Sequence, residues 1–210
     1  MRRLPSLQFL TLDGTAQGHV SQAREACAGG VRWVQLRAKG LVLDEWVDLA
    51  REVVATCRAH GALCTINDSP EVALAAGADG VHLGRADASP AAARILLGPA
   101  ALIGVTLNHR SDLARLGDGR PDYVGVGPFR ATPTKSGHAP VHTAESLAAL
   151  IAAAGLPAYA IGGVNAADFP ELHRLGAAGA AVSAAIATAP DITGAAVRLV
   201  SAAEACWPRS

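Results

Sequence analysis

Along the whole chain, short apolar runs rich in β-branched residues alternate with segments of helical period, and most runs end at glycine or a turn-forming polar residue. A strand separated from the next by a helix cannot pair through a hairpin, so the alternation dictates parallel strands joined by crossovers. Strands are expected at 7–12, 31–37, 62–66, 80–83, 101–106, 122–126, 158–161 and 180–183. Helices are expected at about 18–28, 44–60, 70–76, 90–97, 110–116 and 143–154, then one ending near 175 and one over 191–204. Ser89-Pro90 supplies an N-cap with proline at the first helical position, and Gly61 stops the helix on which Trp46, Val47, Ala50, Val53 and Val54 share a face. Eight such units predict an α/β fold of the (β/α)8 barrel type, with residues 1–210 forming a single compact domain at the small end of the barrel size range. An open doubly wound sheet is the alternative; the even spacing and the lack of Gly-x-Gly-x-x-Gly after the first strand argue against it.

Half of the 210 residues are hydrophobic, enough for one full core, and the formal net charge is zero. A neutral chain is not a nucleic-acid or membrane-surface binder driven by positive field, so small molecules are the expected partners. Pro5, Gln8 and Asp13 interrupt any apolar signal region behind Met1-Arg2-Arg3, and no apolar run approaches the length of a membrane span, so a cytoplasmic address is expected. Cys27, Cys57, Cys64 and Cys206 form no CxxC pair and read as small buried hydrophobes. Only Lys39 and Lys135 among the 18 basic residues are lysine, and both fall in loops after expected strands. A chain that uses arginine wherever a generic cation will do keeps lysine where a compact ammonium is needed.

In a barrel, chemistry belongs to the loops after the strands. Asp68 and Asp87 follow the third and fourth strands, so both carboxylates sit on one rim, where they could share a divalent cation such as Mg2+ bound with a polyphosphate. His82 is a candidate third ligand, although a strand histidine is more often turned inward or hydrogen-bonded. Arg37 and Lys39 after the second strand, with Lys135 on the long sixth loop, would surround a diphosphate, a cluster that neutralises a leaving group. Gly162-Gly163 after the seventh strand and Val182-Ser183 at the end of the eighth occupy the places where barrels commonly bind phosphate.

Gln35-Leu36-Arg37-Ala38-Lys39, Ile66-Asn67-Asp68, Asp79 to Gly84 with Asp87, Gly125 to Pro128, Thr132 to Lys135, Ile161-Gly162-Gly163 and Val182-Ser183 together resemble the thiamine phosphate synthase family, in order and with similar spacing from the second strand to the eighth. The resemblance implies transfer of an aminopyrimidine methyl group from its diphosphate to the nitrogen of a thiazole phosphate, with release of pyrophosphate. It implies that Gln35, Arg37, Lys39, Asn67 and Lys135 hold the pyrimidine diphosphate, Arg37, Lys39 and Lys135 acting on the leaving group, and that Asp68 and Asp87 hold Mg2+. Thr132, Thr134, Gly162, Gly163, Val182 and Ser183 would hold the thiazole phosphate, and Thr106 stands where the family usually has serine. No Ser-His-Asp or Cys-His set is apparent, and none is needed if C–O cleavage leaves a pyrimidine-stabilised cation.

Four places depart from the family pattern: Ala38 for glutamate, Ala86 for an acidic residue, Ser69-Pro70 for an arginine-led helix start, and Arg130-Ala131 for Phe-Pro. They bear on substrate choice more than on metal binding. The related thiazole tautomerase pattern has histidine where this chain has Pro128, and a non-catalytic phosphate-ligand barrel is a third reading. The Ala- and Gly-rich last helix permits packing against a second copy in a homo-oligomer.

Overall fold

The computed structural model describes residues 4–117, 119–131 and 140–208. Its strands are β1 (Leu7–Leu10), β2 (Trp33–Leu36), β3 (Leu63–Asn67), β4 (Gly80–Leu83), β5 (Leu102–Leu107), β6 (Tyr123–Val126), β7 (Ala158–Ile161) and β8 (Gly179–Val182). All pair in parallel with their sequence neighbours, and β8 returns to β1 to close the barrel. The helices are α1 (His19–Ala28), α2 (Leu43–Ala59), α3 (Pro70–Ala76), α4 (Pro90–Leu97), α5 (Ala144–Ala154), α6 (Phe169–Arg174), α7 (Ala184–Ala187) and α8 (Ile192–Cys206). Among the described residues no helix is long and apolar enough to cross a membrane.

Where β1 and the segment after β5 differ from expectation, a side chain is responsible. β1 stops at Leu10 rather than residue 12, and the N–H and carbonyl of Leu12 are both taken by the Gln22 carboxamide at 2.9 and 2.8 Å. α2 begins at Leu43, which places Asp44 and Glu45 in its first turn beside the positive end of the helix dipole. Ser69 is a working N-cap, accepting the Val72 N–H at 3.2 Å with Pro70 behind it, so the departure at that position keeps a competent helix start. Residues Arg110–Gly117 form a 3-10 helix instead of an α-helix; its entry is held by the buried Asp112 carboxylate, which accepts the N–H groups of Asn108 and His109. The four-residue α7 lies in an Ala-rich stretch without apolar periodicity to announce it.

Apolar faces of the helices meet the outside of the barrel in one large cluster, while Trp33, Tyr123 and Tyr159 fill the inside with edge-on ring contacts at 4.7, 5.0 and 5.9 Å. Strand glycines make this possible: a Cβ on Gly104 would lie 2.1 Å from Cζ of Tyr123. Trp33, Leu63, Leu102 and Tyr123 each begin their strand, so the bulky layer plugs the N-terminal half and leaves room above it. Trp207 docks the tail, its indole N–H donating to the Ala177 carbonyl at 2.8 Å while its ring meets Phe169 and His173. Cys27, Cys57 and Cys64 are buried, and Cys27 and Cys57 lie against each other; that contact, burial and the neighbouring thiol hold Cys27 far above the usual thiol range.

Candidate functional site

Above the aromatic layer, at the C-terminal ends of the strands, lies a cavity of about 370 Å³. Of the residues singled out from the sequence, Gln35, Arg37, Lys39, Asn67, Asp68, Thr106, Gly162, Gly163, Val182 and Ser183 all line it. Asp87 stands behind Asp68. Thr132, Thr134 and Lys135 lie outside the described residues.

The acidic corner is built by the β3 and β4 exits. Asp68 adopts φ +72°, a left-handed conformation that costs a side-chain-bearing residue on the order of 1 kcal/mol and concentrates at functional sites. Its N–H donates to the His82 carbonyl at 2.8 Å, tying the two exits together, and its carboxylate is ion-paired with the Lys39 ammonium from the β2 exit. Asp87 folds back so that its carboxylate accepts the Gly84 N–H at 2.6 Å. Burial and then the Asp68 carboxyl, within hydrogen-bonding reach, push the Asp87 carboxyl above its usual range; the Gly84 N–H and Lys39 oppose the shift. Two carboxylates brought together against their own repulsion, one of them ion-paired with a lysine at the cavity wall, form a site suited to a hard divalent cation. Among the described residues no cluster of three His, Cys, Asp or Glu side chains gathers as a metal site, so a cation here would take its remaining ligands from a bound molecule or water.

The floor is neutral and polar. The buried Gln35 carboxamide keeps one oxygen without a protein partner among the described residues. His82 turns inward rather than toward the acidic pair: Nδ1 lies 3.1 Å from the Tyr123 hydroxyl and Nε2 2.9 Å from Thr106 Oγ1. Burial pushes the Tyr123 phenol up, so it stays protonated, and the imidazole ties the Tyr123 and Thr106 hydroxyls together beneath the cavity. Of the two readings of His82, the inward, hydrogen-bonded one therefore holds and the third metal ligand does not. Gln8, also on the floor with its amide 3.5 Å from the Tyr123 hydroxyl, had as its only sequence signal a polar residue in an apolar strand.

The opposite wall carries the glycine pair. Gly162 and Gly163 take φ +98° and +65°, and the loop after β6 is fastened to them, the Phe129 N–H donating to Ile161 at 2.9 Å and the Arg130 N–H to Gly162 at 2.8 Å. Arg130 is ion-paired with the buried Asp168, which also accepts the Asn165 N–H at 2.9 Å. The residue that departs from the family pattern thus ties the sixth loop to the seventh. Ser183 Oγ is buried without a partner among the described residues, beside Val182 at the cavity edge. Asn108 and Asn165, which the sequence did not single out, add polar groups to the same cavity.

Acidic pair, cations, amide floor and glycine wall around one cavity define a (β/α)8 barrel that handles phosphorylated small molecules. The family model described as thiamine monophosphate synthase matches residues 8–186, and the chain belongs to that family. It is 43% identical over 187 residues to a thiamine-phosphate synthase of Laribacter hongkongensis, covering 87% of this chain and 88% of that one. It is 43% identical over 183 residues to the thiamine-phosphate synthase of Azorhizobium caulinodans, covering 86% and 85%. Its backbone is similar to that of a thiamine phosphate pyrophosphorylase from Pyrococcus furiosus, with a TM-score of 0.85, 28% identity and 96% of each chain covered.

Proposed function

We propose that this chain joins 4-amino-2-methyl-5-hydroxymethylpyrimidine diphosphate to a thiazole phosphate, giving thiamine phosphate and pyrophosphate, and that residues 1–210 act as one domain. The observation that carries the reading is the buried Gln35 oxygen, an acceptor without a protein partner among the described residues, on a floor beneath the paired Lys39 and Asp68. A ring bearing an amino group satisfies that acceptor while its diphosphate reaches the charged rim, and leaving the acceptor unmet costs about 1–3 kcal/mol.

The C–O bond to the diphosphate breaks first and its electron pair leaves with pyrophosphate, while the 4-amino lone pair delocalises into the ring to steady the methylene cation. The thiazole nitrogen then gives its lone pair to that carbon, forming the C–N bond. Gln35 and Asn67 orient the pyrimidine; Arg37, Lys39 and Lys135 stabilise charge on the departing pyrophosphate; Gly162, Gly163, Val182, Ser183, Thr132 and Thr134 hold the thiazole phosphate so that its nitrogen faces the carbon. Thr106, oriented by His82, offers its hydroxyl to the ring or the diphosphate. Asp68 and Asp87 are the residues that would hold Mg2+, which would supply charge neutralisation on the diphosphate.

The test is incubation of the purified chain with both phosphorylated precursors, with and without Mg2+, followed by chromatography of the products. Thiamine phosphate and pyrophosphate in equal amounts, dependent on Mg2+ and lost in Asp68→Ala, are expected. Conversion of a carboxythiazole phosphate alone would mark a tautomerase, and binding without conversion a ligand-binding barrel; either would overturn the proposal.

A further inference from the structure

The cations at the β2 exit are not held by β2 alone. Beyond Leu36 the backbone leaves the ladder, and two of its next three donors are taken by side chains from the β1 exit: the Arg37 N–H donates to Thr11 Oγ1 at 3.0 Å and the Lys39 N–H to Asp13 Oδ1 at 3.4 Å. One imidazole joins these two acceptors. His19, at the first turn of α1, places Nδ1 2.9 Å from Thr11 Oγ1 and Nε2 3.0 Å from Asp13 Oδ1. The assignment that satisfies every group puts the proton on Nε2, donating to Asp13, while Nδ1 accepts the Thr11 hydroxyl and the Thr11 oxygen accepts from Arg37.

The β1 exit is itself rigid. The buried Gln22 carboxamide accepts the Leu12 N–H at 2.9 Å and lies 2.8 Å from each of the Leu12 carbonyl, Thr15 Oγ1 and the Gln17 carbonyl. Thr11 is fully buried and only 13% of the His19 side chain is exposed, so the Thr11–His19 half of the bracket is embedded in the protein, while Asp13, its side chain 39% exposed, closes it at the surface. Buried groups that are fully hydrogen-bonded restrict a site to one geometry, and displacement of a positioned group by about 1 Å costs a reaction up to about a hundredfold.

We propose that His19 is a positioning residue, acting through Thr11 and Asp13 to set the backbone that presents Arg37 and Lys39 to a diphosphate. It touches neither substrate. The inference rests on the reading that Arg37 and Lys39 hold the diphosphate, and the experiment separates the two. Pyrophosphate binding in the presence of Mg2+ is measured by titration calorimetry for the wild type, His19→Ala and His19→Asn, together with KM for each substrate and the melting temperature.

His19→Ala is expected to weaken pyrophosphate binding and raise KM for the pyrimidine diphosphate about tenfold. KM for the thiazole phosphate should stay within twofold of the wild type, on the order set by an untouched wall. His19→Asn, whose side-chain oxygen can accept the Thr11 hydroxyl, should recover part of the loss. A merely structural histidine would change the melting temperature and both KM values together, and that result overturns the proposal, as does an unchanged pyrophosphate affinity. Should His19→Ala fail to fold, a selective loss in His19→Asn supports the proposal and its absence overturns it. A wild type that binds pyrophosphate through this loop yet forms no thiamine phosphate would sink the transferase reading and leave the positioning role standing.

Discussion

Replacing Asp87 with asparagine separates its charge from its shape. Asparagine keeps an oxygen to accept the Gly84 N–H, a bond of 2.6 Å in the native loop, so the β4 exit should hold its course while one negative charge is lost. Two like charges about 4 Å apart repel by about 1 kcal/mol in water and about 4 kcal/mol at the effective dielectric of a protein surface. Asp87 is only half-buried and Lys39 partly offsets the pair, so the lower end applies. Metal-free Asp87→Asn should therefore be more stable than the wild type by about 1 kcal/mol, a rise of about 2–4 °C in melting temperature for a chain of this size.

Magnesium should reverse the order. At a hundredfold excess over Kd, a ligand that binds only the native state adds about 2.7 kcal/mol, or about 5–10 °C, to the wild type, and the variant should lose most of that gain. The pH dependence follows from the raised Asp87 carboxyl: the metal-free native state binds its proton more tightly than the unfolded chain does. Wild-type stability then falls as pH rises from the unfolded carboxyl's range through the native one, so the gain from asparagine is present at neutral pH and disappears on acidification. Thermal melts by circular dichroism, with and without Mg2+ and at two pH values, read all of this. A metal-free variant no more stable than the wild type, with the same response to Mg2+, would refute the reasoning.

Gly163→Ala forces a side chain into φ +65° and places a Cβ 2.8 Å from that of Arg130, so KM for the thiazole phosphate should rise with a stability loss of about 1–2 kcal/mol, read by steady-state kinetics and thermal melts. Tyr123→Phe strands His82 Nδ1 in the barrel interior, which should cost about 1–3 kcal/mol in urea unfolding and lower kcat through a loosened Thr106; an unchanged midpoint would show that another group takes over the bond. Lys135→Ala should lower kcat more than it raises either KM, as expected for a cation acting on the leaving group, and equal kcat values would remove Lys135 from the chemistry.

The sequence by itself determined the barrel and the rim on which its chemistry sits, because strand and helix periodicity and the turn residues between them are short-range properties read within a dozen residues. It also placed Asp68, Asp87, Arg37 and Lys39 after consecutive strands, since barrel topology turns chain order into spatial order. Other facts awaited the tertiary structure: the inward turn of His82 to Tyr123, 41 residues away, the Arg130 bond to Asp168, and the Thr11–His19–Asp13 bracket behind Arg37 and Lys39. Arg130 read in the sequence only as a departure, and His19 carried no signal there. Each depends on which side chains a closed barrel brings face to face and which polar groups burial obliges to find partners, and no local pattern encodes that outcome.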